Sequence, residues 1–187
     1  MGINSAVSQQ WFVFRATYGR EGWACEIIGR EGVRVYLPTK RERVVAGCVA
    51  TTVQKPLIPN LLFVYCTAAQ ADYFIKGHPD LPKFLRYYYN HLILNSDGSN
   101  PPLVVPDSEM ENFIRLTTVD SKHIKVVDPA QCRFRSGDRV RVTQGAFEGV
   151  EGRVARVAGQ QRVVITLESL CTIATAYIPS GFLEKIV

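Results

Sequence analysis

Metal-binding and disulfide patterns are missing from this sequence of 187 residues. Its five cysteines are odd in number, lie far apart and never form a Cys-x-x-Cys pair. This spacing argues against a zinc site and against a disulfide scaffold, and it suits a reducing cytosol. The three histidines are isolated and lack the His-Glu-x-x-His spacing of zinc proteases. We therefore expect neither a bound metal nor a cofactor.

Long apolar runs are also missing. No stretch approaches the roughly 18 apolar residues that a membrane-spanning helix needs. The start of the sequence, MGINSAVSQQ, has no basic flank followed by an apolar core, as an export signal would have. We expect a cytoplasmic protein that makes no membrane contact.

Patterns typical of enzymes are not present either. Gly145, Gly149 and Gly152 are closely spaced, but the Gly-Lys-Ser/Thr of a phosphate-binding loop does not follow them. The carboxylates between residues 107 and 111 lie in the first turn of a predicted helix, where they oppose the positive end of its dipole. We therefore expect that the protein is not an enzyme.

The composition is that of a folded globular protein, with 47% apolar and 21% charged residues and a net charge of +5. The excess positive charge leans toward the C-terminus. Residues 133–187 carry eight Lys and Arg against five Asp and Glu, whereas residues 1–120 carry twelve against eleven. Such a distribution permits contact with nucleic acid or an acidic protein surface without proving either.

The most informative stretch is residues 136–157, in which two alternating segments are separated by glycines. Residues 139–143 alternate strictly between charged and apolar side chains, the period of a half-buried strand. The alternation resumes at Val150 and slips after Val154, as a β-bulge would make it do. The pattern predicts a glycine-rich hairpin in a small curved sheet.

This stretch resembles the KOW motif, which occurs in transcription factors of the NusG family and in several ribosomal proteins. Spaced glycines between two apolar strands make the match fairly specific, although a purely structural small barrel remains the plain alternative. The residues that carry the match are Gly137, Val140, Val142, Gly145, Phe147, Gly149 and Gly152.

The preceding residues mix strand and helix patterns. Residues 11–16 and 55–66 are rich in apolar, aromatic and β-branched residues and predict strands, whereas residues 19–31 and 109–116 carry helical stripes. Periodicity is lost between residues 117 and 132, which we interpret as a linker. The predicted fold class is α+β: an N-terminal α/β sandwich (1–116), whose antiparallel sheet is flanked by helices, joined by the linker (117–132) to a five-stranded, SH3-like β-barrel (133–187).

With both halves placed, the chain resembles NusG-family elongation factors over nearly its full length. The N-terminal match rests on the run Trp-Phe-Val at 11–13, on Gly-Arg-Glu-Gly at 19–22, and above all on Ile-Pro-Asn-x-Leu-Phe-Val at 58–64. The segment 90–114 is similar to the specialised UpxY-type paralogues, which act as antiterminators of capsular polysaccharide operons. The resemblance assigns residues 1–116 to the N-terminal domain and 133–187 to the KOW domain.

The resemblance implies binding partners and a function. The N-terminal domain is expected to dock on the clamp helices of RNA polymerase and to make elongation more processive, and the KOW domain to recruit Rho or a ribosomal protein. We expect a monomer. Two alternatives stay open: a housekeeping NusG that acts in pausing and Rho-dependent termination, and a ribosome-associated KOW protein that binds RNA.

The resemblance also places the polymerase-binding surface. Side chains along residues 61–64 alternate between the faces of a strand. Leu61 and Phe63 are expected to face outward as an exposed apolar patch, with Phe84 nearby, and Leu62 to face the core. On this assignment Phe63→Ala leaves the melting temperature nearly unchanged. Arg15 either borders the patch or pairs with a carboxylate at the edge of the core.

Three basic residues, Lys40, Arg41 and Arg43, are candidates for contact with nucleic acid. They lie in a segment that the sequence predicts to be an exposed hairpin or a mobile loop. Upstream DNA and emerging RNA are the candidate ligands, because both present phosphates to cationic side chains. A solvated loop with no ligand is the competing interpretation.

Overall fold

The computed structural model describes residues 8–46, 49–119, 124–128, 133–168 and 170–186. The chain divides into two compact units. The first contains residues 1–38 and 56–110, and the second contains residues 39–55 and 111–187. Within the described ranges, no helix is long and apolar enough to cross a membrane.

Strands outnumber helices in both units, which confirms the predicted α+β class. The strands are β1 (Gln10–Ala16), β2 (Arg34–Tyr36), β3 (Thr39–Ala46), β4 (Val49–Pro56), β5 (Leu61–Cys66), β6 (Leu85–Tyr87), β7 (Val104–Val105), β8 (Lys125–Val127), β9 (Arg133–Val142), β10 (Glu151–Val157), β11 (Gln160–Leu167), β12 (Cys171–Tyr177) and β13 (Leu183–Lys185). The helices are α1 (Glu21–Arg30), α2 (Ala68–Asp72) and α3 (Asp107–Thr118), and α2 continues into a π-helical turn, Tyr73–Gly77.

The sheet of the first unit has the order β2-β5-β1-β6, and β7 also pairs with β1. Its central strands β1 and β5 are antiparallel, with Phe12 opposite Val64 and Val13 opposite Phe63. Residues directly opposite each other share a face of the sheet. The first face joins side chains of α1 and α2 in one buried core, whose members include Phe12, Phe14, Ala24, Ile28, Leu62, Val64 and Ala71.

The second face of this sheet is apolar as well. Trp11, Val13, Leu61 and Phe63 share it by register, and all four are buried. Strands covered on both faces have continuous apolar runs in place of alternation. This explains the unbroken sequences of β1 and β5.

A turn at Asn60 fixes where β5 begins. The backbone carbonyl of Asn60 accepts a hydrogen bond from Ala16 N (2.8 Å), and its side-chain Oδ1 accepts one from Gly19 N (3.2 Å). Its own N–H donates to Oε1 of the buried Glu21 (3.3 Å). Asn60 has a φ of +64°, a conformation that asparagine and glycine tolerate best. The Pro-Asn pair of the sequence thus ties β5 to the junction of β1 and α1.

The second unit contains a sheet in the order β13-β9-β10-β11-β12-β8. Five of these strands, β9 to β13, lie within residues 133–187, as predicted. The sixth strand, β8, lies in the segment predicted to be a linker, and it pairs with β12 through Val126 opposite Ile173. Residues 111–118 of α3 belong to the same unit, where Asn112 Oδ1 accepts a hydrogen bond from Glu151 N (3.0 Å).

The glycine-rich hairpin predicted between β9 and β10 is confirmed. Gly145 and Gly149 have φ values of +86° and +78°, which glycine adopts without steric cost. The register between β9 and β10 shifts between Arg153 and Ala155, at the slip in the alternation. Val140 and Val142 are buried as expected. Gly137 lies in β9.

Candidate functional site

The apolar patch predicted to bind polymerase is not exposed in this structure. Leu61 is 7% exposed, Phe63 0% and Phe84 1%. The prediction that Leu61 and Phe63 face outward was wrong, whereas Leu62 lies in the core as predicted. Strand alternation does separate them onto two faces, but both faces of β5 are buried. The ring of Phe63 lies 6.5 Å from the ring of Tyr36, centroid to centroid.

Phe84 is covered by two residues of the same unit. The indole of Trp23 stacks on its ring at 4.9 Å between centroids, and the guanidinium carbon of Arg20 lies 5.5 Å from its centroid. Trp23 itself is 44% exposed. Trp23 and Arg20 therefore form the surface above Phe84. An aromatic and a cationic side chain together are suited to stacking and cation–π contacts.

Arg15 forms part of a pair of like charges at the end of the second face. It lies opposite Leu61 in β5 and opposite Arg86 in β6, and both arginines are exposed. Among the described residues, no carboxylate lies within 4 Å of Arg15, so the predicted pairing with a core-edge acid is not found there. Arg86 Nη1 donates to the carbonyl oxygens of Pro82 and Leu85, the latter at 2.7 Å.

Like charges directly opposite each other destabilise a sheet. Together, Arg15 and Arg86 form an exposed cationic surface at this end of the sheet. Arg86 was missed by sequence reasoning because its pairing with Arg15 joins strands 71 residues apart. No local pattern reports such a contact.

The basic residues at 40–43 lie on a two-stranded hairpin of β3 and β4, as predicted. Lys40 Nζ is 3.7 Å from a carboxylate oxygen of Glu42, which also pairs with Lys55 at 2.9 Å. Successive residues of a strand point to opposite faces, so Arg41 and Arg43 share the face away from Glu42. Both are exposed. The hairpin thus separates Lys40 from the two arginines.

Nucleophilic and metal-binding chemistry find little support in the described part of the chain. Burial raises the pKa of Cys66 and of Cys171 to about 12, and burial followed by the charge of Glu21 does the same for Cys25. These thiols stay protonated near neutral pH and are poor nucleophiles. No group of three or more His, Cys, Asp or Glu that could hold a metal occurs among the described residues.

His78, one of the three isolated histidines, is buried. Its Nδ1 accepts hydrogen bonds from Asp80 N (3.1 Å) and Leu81 N (3.3 Å), and its Nε2 lies 3.1 Å from a carboxylate oxygen of Glu31. By accepting these two backbone N–H groups, the ring holds the turn after α2 as a structural element.

The sheet of the second unit carries an apolar groove of about 200 Å³ beside the glycine-rich hairpin. Phe147 is buried against it, and Tyr177 at its border is 56% exposed. Grooves of this kind suit an apolar partner segment. Its lining includes Val142, Gly145, Phe147, Tyr177, Ile178 and Phe182.

Two comparisons with known proteins bear on the family of this chain. A family model described as NusG, transcription termination factor, matches residues 9–114, which is more than half of the chain. Among solved structures, NusG of Thermotoga maritima, determined in work on its domain interaction, shares 22% sequence identity. That alignment covers 97% of this chain and 99% of the other, with a TM-score of 0.48. The chain belongs to the NusG family of transcription factors.

Proposed function

We propose that this protein binds RNA polymerase through its first unit and promotes processive elongation. The family match over residues 9–114 carries this proposal, because it covers the unit that holds Arg15, Leu61, Phe63 and Phe84. In the same proposal, the second-unit sheet is a KOW domain that recruits a further partner, a ribosomal protein or Rho, through the groove beside Phe147.

In this proposal, the exposed and the buried residues of the predicted polymerase-binding set have different roles. Arg15 is exposed and, with Arg86, offers two cations to acidic side chains of the clamp helices. Leu61 and Phe63 lie buried on the same face and support the strand that presents Arg15. The buried ring of Phe84 stacks on the indole of Trp23 and holds it in position.

A charge reversal tests the proposed docking surface. Arg15→Glu with Arg86→Glu is expected to weaken binding to core RNA polymerase at least about tenfold, by losing two attractions and adding two repulsions. The melting temperature should fall by no more than a few degrees, because both side chains are exposed and the change removes only the two hydrogen bonds of Arg86 to Pro82 O and Leu85 O. Binding is measured by biolayer interferometry at two salt concentrations. Arg156→Glu, an exposed charge in the second unit, is the control. Unchanged binding of the double variant would reject this surface.

We further propose that the protein is a specialised antiterminator of one operon, of the capsular polysaccharide type. The sequence of residues 90–114 supports this finer assignment through its resemblance to UpxY-type paralogues. A housekeeping role in pausing and Rho-dependent termination is the alternative. In transcription assays on the protein's own upstream leader, an antiterminator raises readthrough of a downstream terminator, whereas a housekeeping factor with Rho lowers it.

We propose that Arg41 and Arg43 contact DNA, with Lys40 contributing less because Glu42 holds it. If both arginines touch phosphates, Arg41→Ala with Arg43→Ala should flatten the slope of log affinity against log salt by about 1.8 for duplex DNA. Lys40→Ala is the matched control and should change the slope by less than about 0.9. Fluorescence anisotropy with a labelled duplex measures both. An equal slope of log affinity against log salt in wild type and double variant would reject the DNA contact and favour a solvated loop with no ligand.

A further inference from the structure

The loop between β6 and β7 exposes three consecutive aliphatic side chains. Leu92 is 73% exposed, Ile93 52% and Leu94 70%. Residues 90–100, here named the apolar loop, form turns and irregular structure. Single exposed apolar residues are ordinary, whereas a contiguous set on a folded domain marks an interaction site.

The apolar loop is held in one shape by its own polar groups. At its base, Asn90 N donates to Pro101 O (2.8 Å). In its middle, the Asn100 amide donates to Asn90 O (3.1 Å) and Ile93 O (2.8 Å). At its tip, Asn95 N donates to Ser99 O (2.8 Å). A loop that is already ordered loses little conformational entropy when it binds.

The charge of the apolar loop indicates which class of partner it suits. No lysine or arginine occurs between residues 87 and 114, and Asp97 is the one acidic residue of the loop. Hydrogen bonds from Ser99 hold the pKa of Asp97 below its ordinary value, so it is charged at neutral pH. Nucleic acids and anionic membrane surfaces both select cationic segments. An apolar protein groove with basic side chains at its border matches this loop instead.

The loop begins and ends on β1, the strand that carries Arg15 of the proposed docking surface. Val13 O accepts a hydrogen bond from Tyr88 N (3.0 Å), and Val13 N donates to Leu103 O (3.1 Å). Both ends of the loop are therefore fixed to β1 two residues before the exposed Arg15.

We propose that the apolar loop is an additional contact with RNA polymerase, in which Leu92, Ile93 and Leu94 enter an apolar groove bordered by basic side chains. The inference rests on the proposed function, since it names a second part of the same partner. A second copy of this chain is the other occupant considered. A symmetric contact between two such loops brings the two Asp97 carboxylates to the same interface, which like-charge repulsion disfavours.

Three serine substitutions test this contact in the full chain. Leu92→Ser, Ile93→Ser and Leu94→Ser together are expected to weaken binding to purified core RNA polymerase by about tenfold or more. The melting temperature should stay within a few degrees, because the side chains are mostly exposed. Val45→Ser, another aliphatic side chain at 65% exposure, is the matched control and should bind like wild type. Asp97→Asn keeps the acceptor oxygen and should reduce the salt dependence of binding.

The outcomes separate the two proposals. If wild type binds polymerase and the triple variant binds it equally tightly, the loop contact is overturned and the proposed function still stands. Failure of wild type to bind polymerase overturns both. If the triple variant melts early, Leu92→Ser and Leu94→Ser are measured singly, and unchanged binding of both overturns the contact. A wild-type dimer that the triple variant converts to a monomer, with unchanged polymerase affinity, assigns the loop to self-association and overturns the proposal.

Discussion

Replacing Phe63 with alanine is expected to lower the free energy of unfolding by about 3–5 kcal/mol, because the ring is fully buried and its removal leaves a cavity. Leu62→Ala should cost a similar amount, about 2–5 kcal/mol, although it lies on the opposite face of β5. The sequence alone suggested that only one of these substitutions would affect stability. Burial of both faces removes that asymmetry.

Denaturant unfolding followed by circular dichroism measures both variants. Tyr18→Ala is the control, because Tyr18 is an aromatic of the same unit that is 88% exposed, and its change should stay within about 0.5 kcal/mol. A loss below about 1 kcal/mol for Phe63→Ala would mean that the ring is accessible in solution. That result would support the exposed patch of Leu61 and Phe63 that the sequence predicted.

Gly152→Ala is expected to destabilise the second-unit sheet by about 2–3 kcal/mol, the upper end for overpacking. A β-carbon at position 152 would lie 2.6 Å from the carbonyl oxygen of Val164 and 2.8 Å from Cγ1 of Val163. The first of these atoms belongs to the backbone of β11, so the strand itself must move. Gly152 is thus required for close strand approach.

Gly181→Ala provides the matched control, since a β-carbon there meets nothing within 4 Å. Thermal unfolding and amide hydrogen exchange in β10 and β11 compare the two variants. Equal stability of both would show that β10 and β11 separate easily, contrary to the packing described.

Local patterns predicted the second unit better than the first. The alternation around Val140 and the slip after Val154 report directly on neighbouring side chains, so strands and bulge were both predictable. Strand β8 was missed because three residues, Lys125–Val127, are too few to show a period.

The candidate site was predictable only in part. Alternation correctly placed Leu61 with Phe63 on one face of β5, but no local signal indicated that this face is covered as well. The pairing of Arg15 with Arg86 depends on tertiary structure. Burial and cross-strand pairs are properties of the assembled fold. Glycines with positive φ and strand periods depend on neighbouring residues in the sequence and are therefore predictable from it.

The pairing of β1 with β5 has a consequence during synthesis of the chain. Trp11 pairs with Tyr65, so the apolar run of β1 leaves the ribosome long before its main partner exists. At about 5–20 residues per second, the roughly fifty intervening residues take about 3–10 s to synthesise. Through that interval the nascent chain exposes an aromatic, β-prone segment of the kind that aggregates or attracts chaperones. Slow translation between residues 16 and 61 should therefore lower the yield of soluble protein.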